Sequence, residues 1–224
     1  MRISERFPHV ARFDLLDGLP RTTLRTLLDA GVARVLSKDQ VLLSEGHRAD
    51  AVSLILDGVI DITRLGPDSQ RVLLHRARAG ALVGDIEVLG EIPCIATCEA
   101  TCASTVLVFG RAHFLEALEI PLFRRNLFRL QARRLDRANQ IRVLDSVVPI
   151  QQRVAVYLRY LAREAQVIDA NQSYLADLVG CSRQTINREL SALRAIGVIE
   201  TQNSRIRILD ATGLAARAGM YIPN

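Results

Sequence analysis

The texture of the chain changes at Val32 and again between Gly110 and Pro121, and those changes limit the folds open to it. From Val32 to Phe109, short apolar runs such as QVLLSEG (40–46), AVSLILDGVIDITRL (51–65), RVLLHRA (71–77) and TVLVFG (105–110) are interrupted by Gly, Pro, Asp or Ser. Interruption roughly every 8–12 residues predicts a sandwich or barrel of antiparallel strands. From Pro121 to Ser146 there is no glycine and no second proline, and Leu127, Leu130, Leu135, Ala138, Ile141 and Leu144 recur at helical spacing. A long helix therefore follows a complete β-domain, which makes the class α+β.

The apolar stripe of that helix needs a partner. Seven arginines against two aspartates in the same segment leave only part of its circumference free to be buried. The helix either lies on its own domain or forms a seam with a second copy; the seam is preferred, because a connector to another domain has little else to lie on. The first 30 residues read as helical, with Leu15, Leu16 and Leu19 before a turn at Gly18-Leu19-Pro20 and Leu24, Leu27 and Leu28 after it. Beyond Pro149 the chain is helical again over 151–165, breaks at DANQ (169–172), and closes with two further helices and a short hairpin. The expected units are 1–120, a helix over 121–148, and 149–224.

The segment QSYLADLVGCSRQTINRELSALRAIGVIE (172–200) carries the chemistry. Leu175, Leu178 and Val179 form the apolar face of one short helix, and Ala176 is small enough for a second helix to cross closely. Gly180 suits a turn at positive φ, Ser182 suits a helix cap, and Ile186, Leu190 and Leu193 make the buried face of the next helix. This is helix-turn-helix spacing. Arg183, Gln184, Asn187 and Arg188, with Thr185 beside them, share the outward face at its start. In that docking mode such positions meet base edges in the major groove, where Arg forks onto guanine and Gln pairs with adenine. VIETQNSRIRIL (198–209) adds two strands around a polar turn, a wing whose Arg205 and Arg207 suit phosphates, while Ser182 suits the backbone as well.

LDGVIDI (56–62), GDIEVL (84–89), ARRL (132–135) and VGCSRQTINREL (179–190), in this order, resemble the catabolite-activator and fumarate-nitrate-reduction regulator (CRP/FNR) family over essentially the whole chain. The resemblance implies a jelly-roll sensor domain like the cyclic-nucleotide-binding fold, a dimerising helix and a C-terminal winged helix-turn-helix. It further implies a homodimer on a near-palindromic double-stranded operator, with RNA polymerase as a partner if the protein activates. Arg183 and Arg188 match the family arginines that grip guanines, and Gln184 stands where cyclic-AMP regulators usually have Glu, so the middle base of the half-site is expected to differ.

The same resemblance makes residues 84–97 a candidate effector pocket. Gly84 and Asp85 stand at the cassette's opening, but Ile95-Ala96-Thr97 occupy the place of the family's phosphate-holding Arg-Ser-Ala, and Ala138 and Asn139 replace the Thr-Ser pair that touches adenine. A buried phosphate without a cation is costly, so no response to cyclic nucleotides is expected. No cofactor is expected either. No cysteine precedes Cys94, which leaves the family's N-terminal iron–sulfur mechanism unsupported; haem on His9, His47, His75, His113 or a cysteine is a weaker alternative. Cys94, Cys98 and Cys102 are evenly spaced. If TCEATCASTVLVF is one strand, Cys98 and Cys102 lie roughly 13 Å apart on one face, too far to pair or share a metal, although Cys94 in a preceding loop could approach Cys98. Small core residues is the plainer reading; a thiol or soft-metal sensor is the other, and Cys181 in the helix-helix turn is a further place where oxidation would disturb docking.

The net charge of +5, almost all of it from arginine since Lys38 is the only lysine, permits a nucleic-acid partner. A cupin-like enzyme is disfavoured because the four histidines are scattered singly. With neither a leader pattern nor a run of about 18 apolar residues, a cytoplasmic protein without membrane attachment is expected.

Overall fold

The computed structural model describes residues 3–66, 71–162, 167–169, 171–202 and 205–219. The chain divides into two compact units, Met1–Arg133 and Arg134–Asn224.

The first unit opens with a single turn, α1 (Ile3–Arg6), two 3-10 turns (Pro8–Arg12 and Asp14–Leu16) and α2 (Arg21–Ala30). Eight strands follow: β1 (Val32–Leu36), β2 (Val41–Leu43), β3 (Ala51–Asp57), β4 (Val59–Leu65), β5 (Arg71–Arg78), β6 (Leu82–Val83), β7 (Thr97–Ala100) and β8 (Ser104–Gly110). They form two antiparallel sheets, β1-β8-β3-β6 and β2-β7-β4-β5. This is a jelly roll: the chain passes between the two sheets at every connection but the β4-β5 hairpin, which stays within one sheet. Three helices complete the unit's order: α3 (Asp85–Gly90) between β6 and β7, α4 (Arg111–Leu118), and the start of the long α5 (Pro121–Val147).

Strand β3 shows why AVSLILD reads as a continuous apolar run rather than an alternating one. Val52, Leu54 and Leu56 belong to a core shared with Leu15, Leu28, Phe114, Phe123 and Leu127, whereas Ile55 points the other way into the sandwich interior with Leu36, Ile60, Ala77 and Val106. On a strand covered on both faces the period-two side chains are buried on both, so the run is apolar apart from the buried Ser53. The stripe on α5 divides accordingly. Leu127 is buried and Leu130 half-buried against the β-unit, while Phe128 is 69% and Leu135 65% exposed. Ala138 is exposed, and the side chains of Ile141 and Leu144 lie outside the described set. The first turns of the helix therefore do pack on their own domain, and the expected seam cannot run along its whole length.

Two features of this unit differ from the sequence reading. The N-terminal 30 residues are only partly α-helical, the Leu15-Leu16 pair being held in a 3-10 turn. TCEATCASTVLVF is not one strand: β7 ends at Ala100 and β8 begins at Ser104 in the other sheet, with a bend between. That bend is fixed from outside the segment by Val59, whose O accepts from Thr101 N at 2.9 Å and whose N donates to Ser104 Oγ at 3.1 Å.

The second unit holds α6 (Ile150–Ala162), β9 (Val167–Asp169), α7 (Gln172–Val179), α8 (Arg183–Ala195), β10 (Ile199–Gln202), β11 (Arg205–Ile208) and α9 (Ala211–Ala218). Its core gathers Val154, Leu158, Leu175, Val179, Ile186, Leu190, Leu193, Ile206 and Leu214. The expected hairpin is a three-stranded sheet, β10-β11-β9, and α9 is an addition to the expected elements. Asp210 caps α9 by accepting from Thr212 N and Gly213 N, both at 2.9 Å. Gly213 leaves room for that cap, since a Cβ would stand 2.3 Å from Asp210 Oδ2 and make the carboxylate shift.

Candidate nucleic-acid interface

The interface is built by the turn between α7 and α8. Asn171 caps α7, its Oδ1 accepting from Tyr174 N at 2.8 Å. Gly180 ends that helix at φ +70°, and Cys181 N donates back to Ala176 O at 3.0 Å, closing the turn on satisfied carbonyls. Ser182 then caps α8: its Oγ accepts from Thr185 N at 3.1 Å and lies 2.9 Å from the Thr185 hydroxyl. Leu175, Ala176 and Val179 are buried with Ile186 and Leu190, so the crossing of the two helices is as the spacing predicts.

With that face inward, Arg183, Gln184, Asn187 and Arg188 are exposed together at the N-terminal half of α8, and Thr185 is half-buried beside them. The helix start adds its own positive end. Two of these side chains are restrained by neighbours that sequence reasoning did not single out. Gln172 of α7 donates through Nε2 to Asn187 Oδ1 at 3.3 Å. Arg188 Nε donates to Glu189 Oε1 at 3.3 Å. Arg194 bridges Ser191 and Thr201 with its two Nη atoms, tying α8 to the wing.

Arg205 and Arg207 are both exposed on β11, though not in the same state. Arg207 lies opposite Glu200 and pairs with it at 3.8 Å, while Arg205 faces Gln202 at the tip. Asn203 and Ser204, the expected polar turn, lie outside the described residues. Ser182 is exposed, and its hydroxyl oxygen is engaged as the cap.

The candidate effector pocket is described within the first unit only. Gly84 has φ +83°, and a Cβ there would come within 2.8 Å of Ala51 O, so the α3 turn demands glycine. Asp85 is 2% exposed and accepts from Gln131 Nε2 of α5. Glu87 is buried as well and accepts from Ile95 N at 3.3 Å. Ala96 is buried, whereas Ile95 is 45% exposed. Residues 84–97 contain neither Lys nor Arg. Arg111, which reaches α3 from α4, is spent on Val88 O and the Glu91 carboxylate at the C-terminal end of α3. Ala138 and Asn139 are exposed and belong to the second unit.

The cysteines are separated. Cys94 is buried in the loop before β7 and packs in the helix-side core, Cys98 is buried in the sandwich core, and Cys102 is exposed in the bend. Burial, with the Glu87 carboxylate adding to it, pushes the Cys94 thiol up. Burial also raises Cys181, where Arg153 opposes the shift and Glu189 adds to it. Neither thiol is poised as a thiolate nucleophile. Among the described residues no three His, Cys, Asp or Glu side chains are grouped to hold a metal ion. Among the same residues no helix is long and apolar enough to cross a membrane.

Comparison with known proteins agrees with this arrangement. Residues 33–120 match the family described as cyclic nucleotide-binding domain, and residues 152–217 match the Crp-like helix-turn-helix domain. A CRP-like cAMP-activated global transcriptional regulator of Mycobacterium tuberculosis is 25% identical over 225 residues, spanning 93% of this chain and 98% of its own. The cyclic AMP receptor protein of Thermus thermophilus is 27% identical over 200 residues, spanning 88% and 93%. The solved catabolite activator protein of Thermus thermophilus is similar with a TM-score of 0.55 at 27% identity, over 92% of this chain and 98% of that one. The c-di-GMP responsive regulator CLP of Xanthomonas campestris, at 16% identity, shares the fold with a TM-score of 0.77 over 86% and 100%. With both domains matched in order and regulators among the relatives of each, the chain belongs to the CRP/FNR family of DNA-binding transcription regulators.

Proposed function

We propose that the protein acts as a homodimer that reads a near-palindromic operator with two copies of α8, Arg183, Gln184, Asn187 and Arg188 contacting bases and Arg205, Arg207 and Ser182 setting the backbone. The observation that carries this is the exposed row of readers on the first turns of a capped helix. A dimer places the two helices on half-sites about one helical turn, roughly 34 Å, apart. The exposed Phe128 and Leu135 on α5 supply apolar surface for the second copy. If the protein activates, RNA polymerase is its further partner.

The sensor domain does not respond to cyclic nucleotides in this reading, unlike the relatives named for cyclic AMP. A cyclic phosphate entering the 84–97 cassette would meet two buried carboxylates, Asp85 and Glu87, and no cation from that segment. Control without any small ligand gains support from the Asp85–Gln131 hydrogen bond, which already ties the cassette to α5. Control by thiol oxidation rests on Cys102, the exposed member of the trio. No resident cofactor is assigned. Selection of duplexes from a randomised pool, followed by titration with cyclic AMP and cyclic GMP in calorimetry and gel shift, tests both parts. An inverted repeat and no nucleotide heat are expected; micromolar nucleotide binding overturns the sensor assignment, and failure to enrich any repeat overturns the operator assignment.

A further inference from the structure

Glu189 is out of place by the logic of its helix. It sits between Arg188 and Leu190 on α8, is 6% exposed, and borders the core formed by Ile186, Leu190 and Leu193. A buried carboxylate costs far more than the aliphatic side chain that packing alone would favour there. Its acceptor oxygen Oε1 takes a hydrogen bond from Arg188 Nε at 3.3 Å, while the Arg188 side chain remains 68% exposed. Its charge also reaches the helix-helix turn, where burial is the larger cause raising the Cys181 thiol, Arg153 of α6 opposes it and Glu189 adds to it.

A guanidinium is a rigid plane with one Nε donor on its flank and two Nη groups at its end. When Nε is turned inward to Glu189, the end-on pair is what remains outward. We propose that Glu189 is a positioning residue that holds Arg188 by its flank, so that the two Nη groups meet the O6 and N7 of one guanine end-on. This rests on the DNA-reading assignment made above for Arg188. Glu189 itself touches no base.

The test uses the full-length protein and the operator it selects from random duplexes. Arg188→Ala first identifies the base pair whose discrimination depends on Arg188. Glu189→Leu should then reduce discrimination at that pair about fivefold to tenfold, leave the pair read by Arg183 unchanged, and leave the thermal midpoint equal or higher. Glu189→Gln, whose amide oxygen still accepts from Nε, should stay within about twofold of the native protein. In the Arg188→Ala background Glu189→Leu should have no further effect on discrimination. If Glu189→Leu does not fold, the unbranched Glu189→Met takes its place. Unaltered discrimination at the Arg188 pair, or an equal loss at every pair, overturns the proposal. Native protein that enriches no sequence overturns the DNA-reading assignment itself, a distinguishable result.

Discussion

Ser182 performs two tasks that substitution can separate. Its Oγ accepts the Thr185 N–H at the start of α8, so Ser182→Ala leaves that donor without its cap and should cost about 1 kcal/mol, within a usual range of about 0.5–2. For a unit of roughly 90 residues this lowers its melting temperature by about 4–8 °C. Ser182→Asp keeps an acceptor at the cap and adds a charge that suits the helix dipole, so stability should match the native protein within a few tenths of a kcal/mol. In the proposed complex, however, that carboxylate faces phosphates. Its repulsion should weaken operator binding by about 1 kcal/mol or more, at least fivefold at moderate salt. Thermal unfolding is followed conveniently by tyrosine fluorescence, because the chain has no tryptophan and Tyr157, Tyr160, Tyr174 and Tyr221 all lie in the second unit's span. Gel shift on folded protein gives the affinities. Equal destabilisation by Ala and Asp refutes the capping argument, and native-like binding by Ser182→Asp refutes the placement of the α8 N-terminus against the backbone.

Arg183→Ala and Arg188→Ala should each remove about 1–3 kcal/mol of discrimination at one base pair, whereas Arg205→Ala should weaken all sequences alike and flatten the salt dependence, as competition gel shifts at several salt concentrations will read. Arg207→Ala should do less than Arg205→Ala, because Arg207 already pairs with Glu200. Among Cys94, Cys98 and Cys102, iodoacetamide near neutral pH should label Cys102 first, with mass spectrometry of the peptides as the check; early labelling of Cys94 contradicts its burial. Because the folded-state thiol pKa of Cys94 and Cys181 is raised, the folded protein holds those protons more tightly than the unfolded chain. Their contribution to stability is complete below the ordinary thiol range and is lost as pH climbs above about 9, which urea titrations at pH 7 and above 9 will measure.

The helix-turn-helix was legible because its determinants are local: one residue that turns, one that caps, and apolar positions three and four apart. Gly180, Ser182 and Leu190 each do what their spacing announced. The jelly roll was legible as a class from punctuation alone, but its strand ends were not. Nothing in Thr101-Cys102-Ala103 signals a break, and the bend comes from Val59 and Ser104, forty-odd residues apart in sequence. Strand β9 is too short to show a period, and it exists by pairing with β11. The cap at Asp210 with Leu214 and Ala218 behind it was readable as α9, but the glycine inside argued against a helix until its reason, room for the capping carboxylate, was visible. Glu189 escaped notice because a glutamate on a helix reads as solvated, whereas it is buried beside Leu190.

The pairing of β1 with β8 has a consequence for how the protein is made. Leu36 meets Ser104 and Val32 meets Val108, so the first strand to leave the ribosome waits for the last before its sheet can close. At synthesis rates of about 5–20 residues per second that interval lasts on the order of ten seconds. During it β3, apolar on both faces, has neither β8 at its side nor α4 and α5 over it. The nascent β-unit is therefore the chain's exposure to chaperones and to aggregation, whereas the helices of the second unit find their partners within tens of residues.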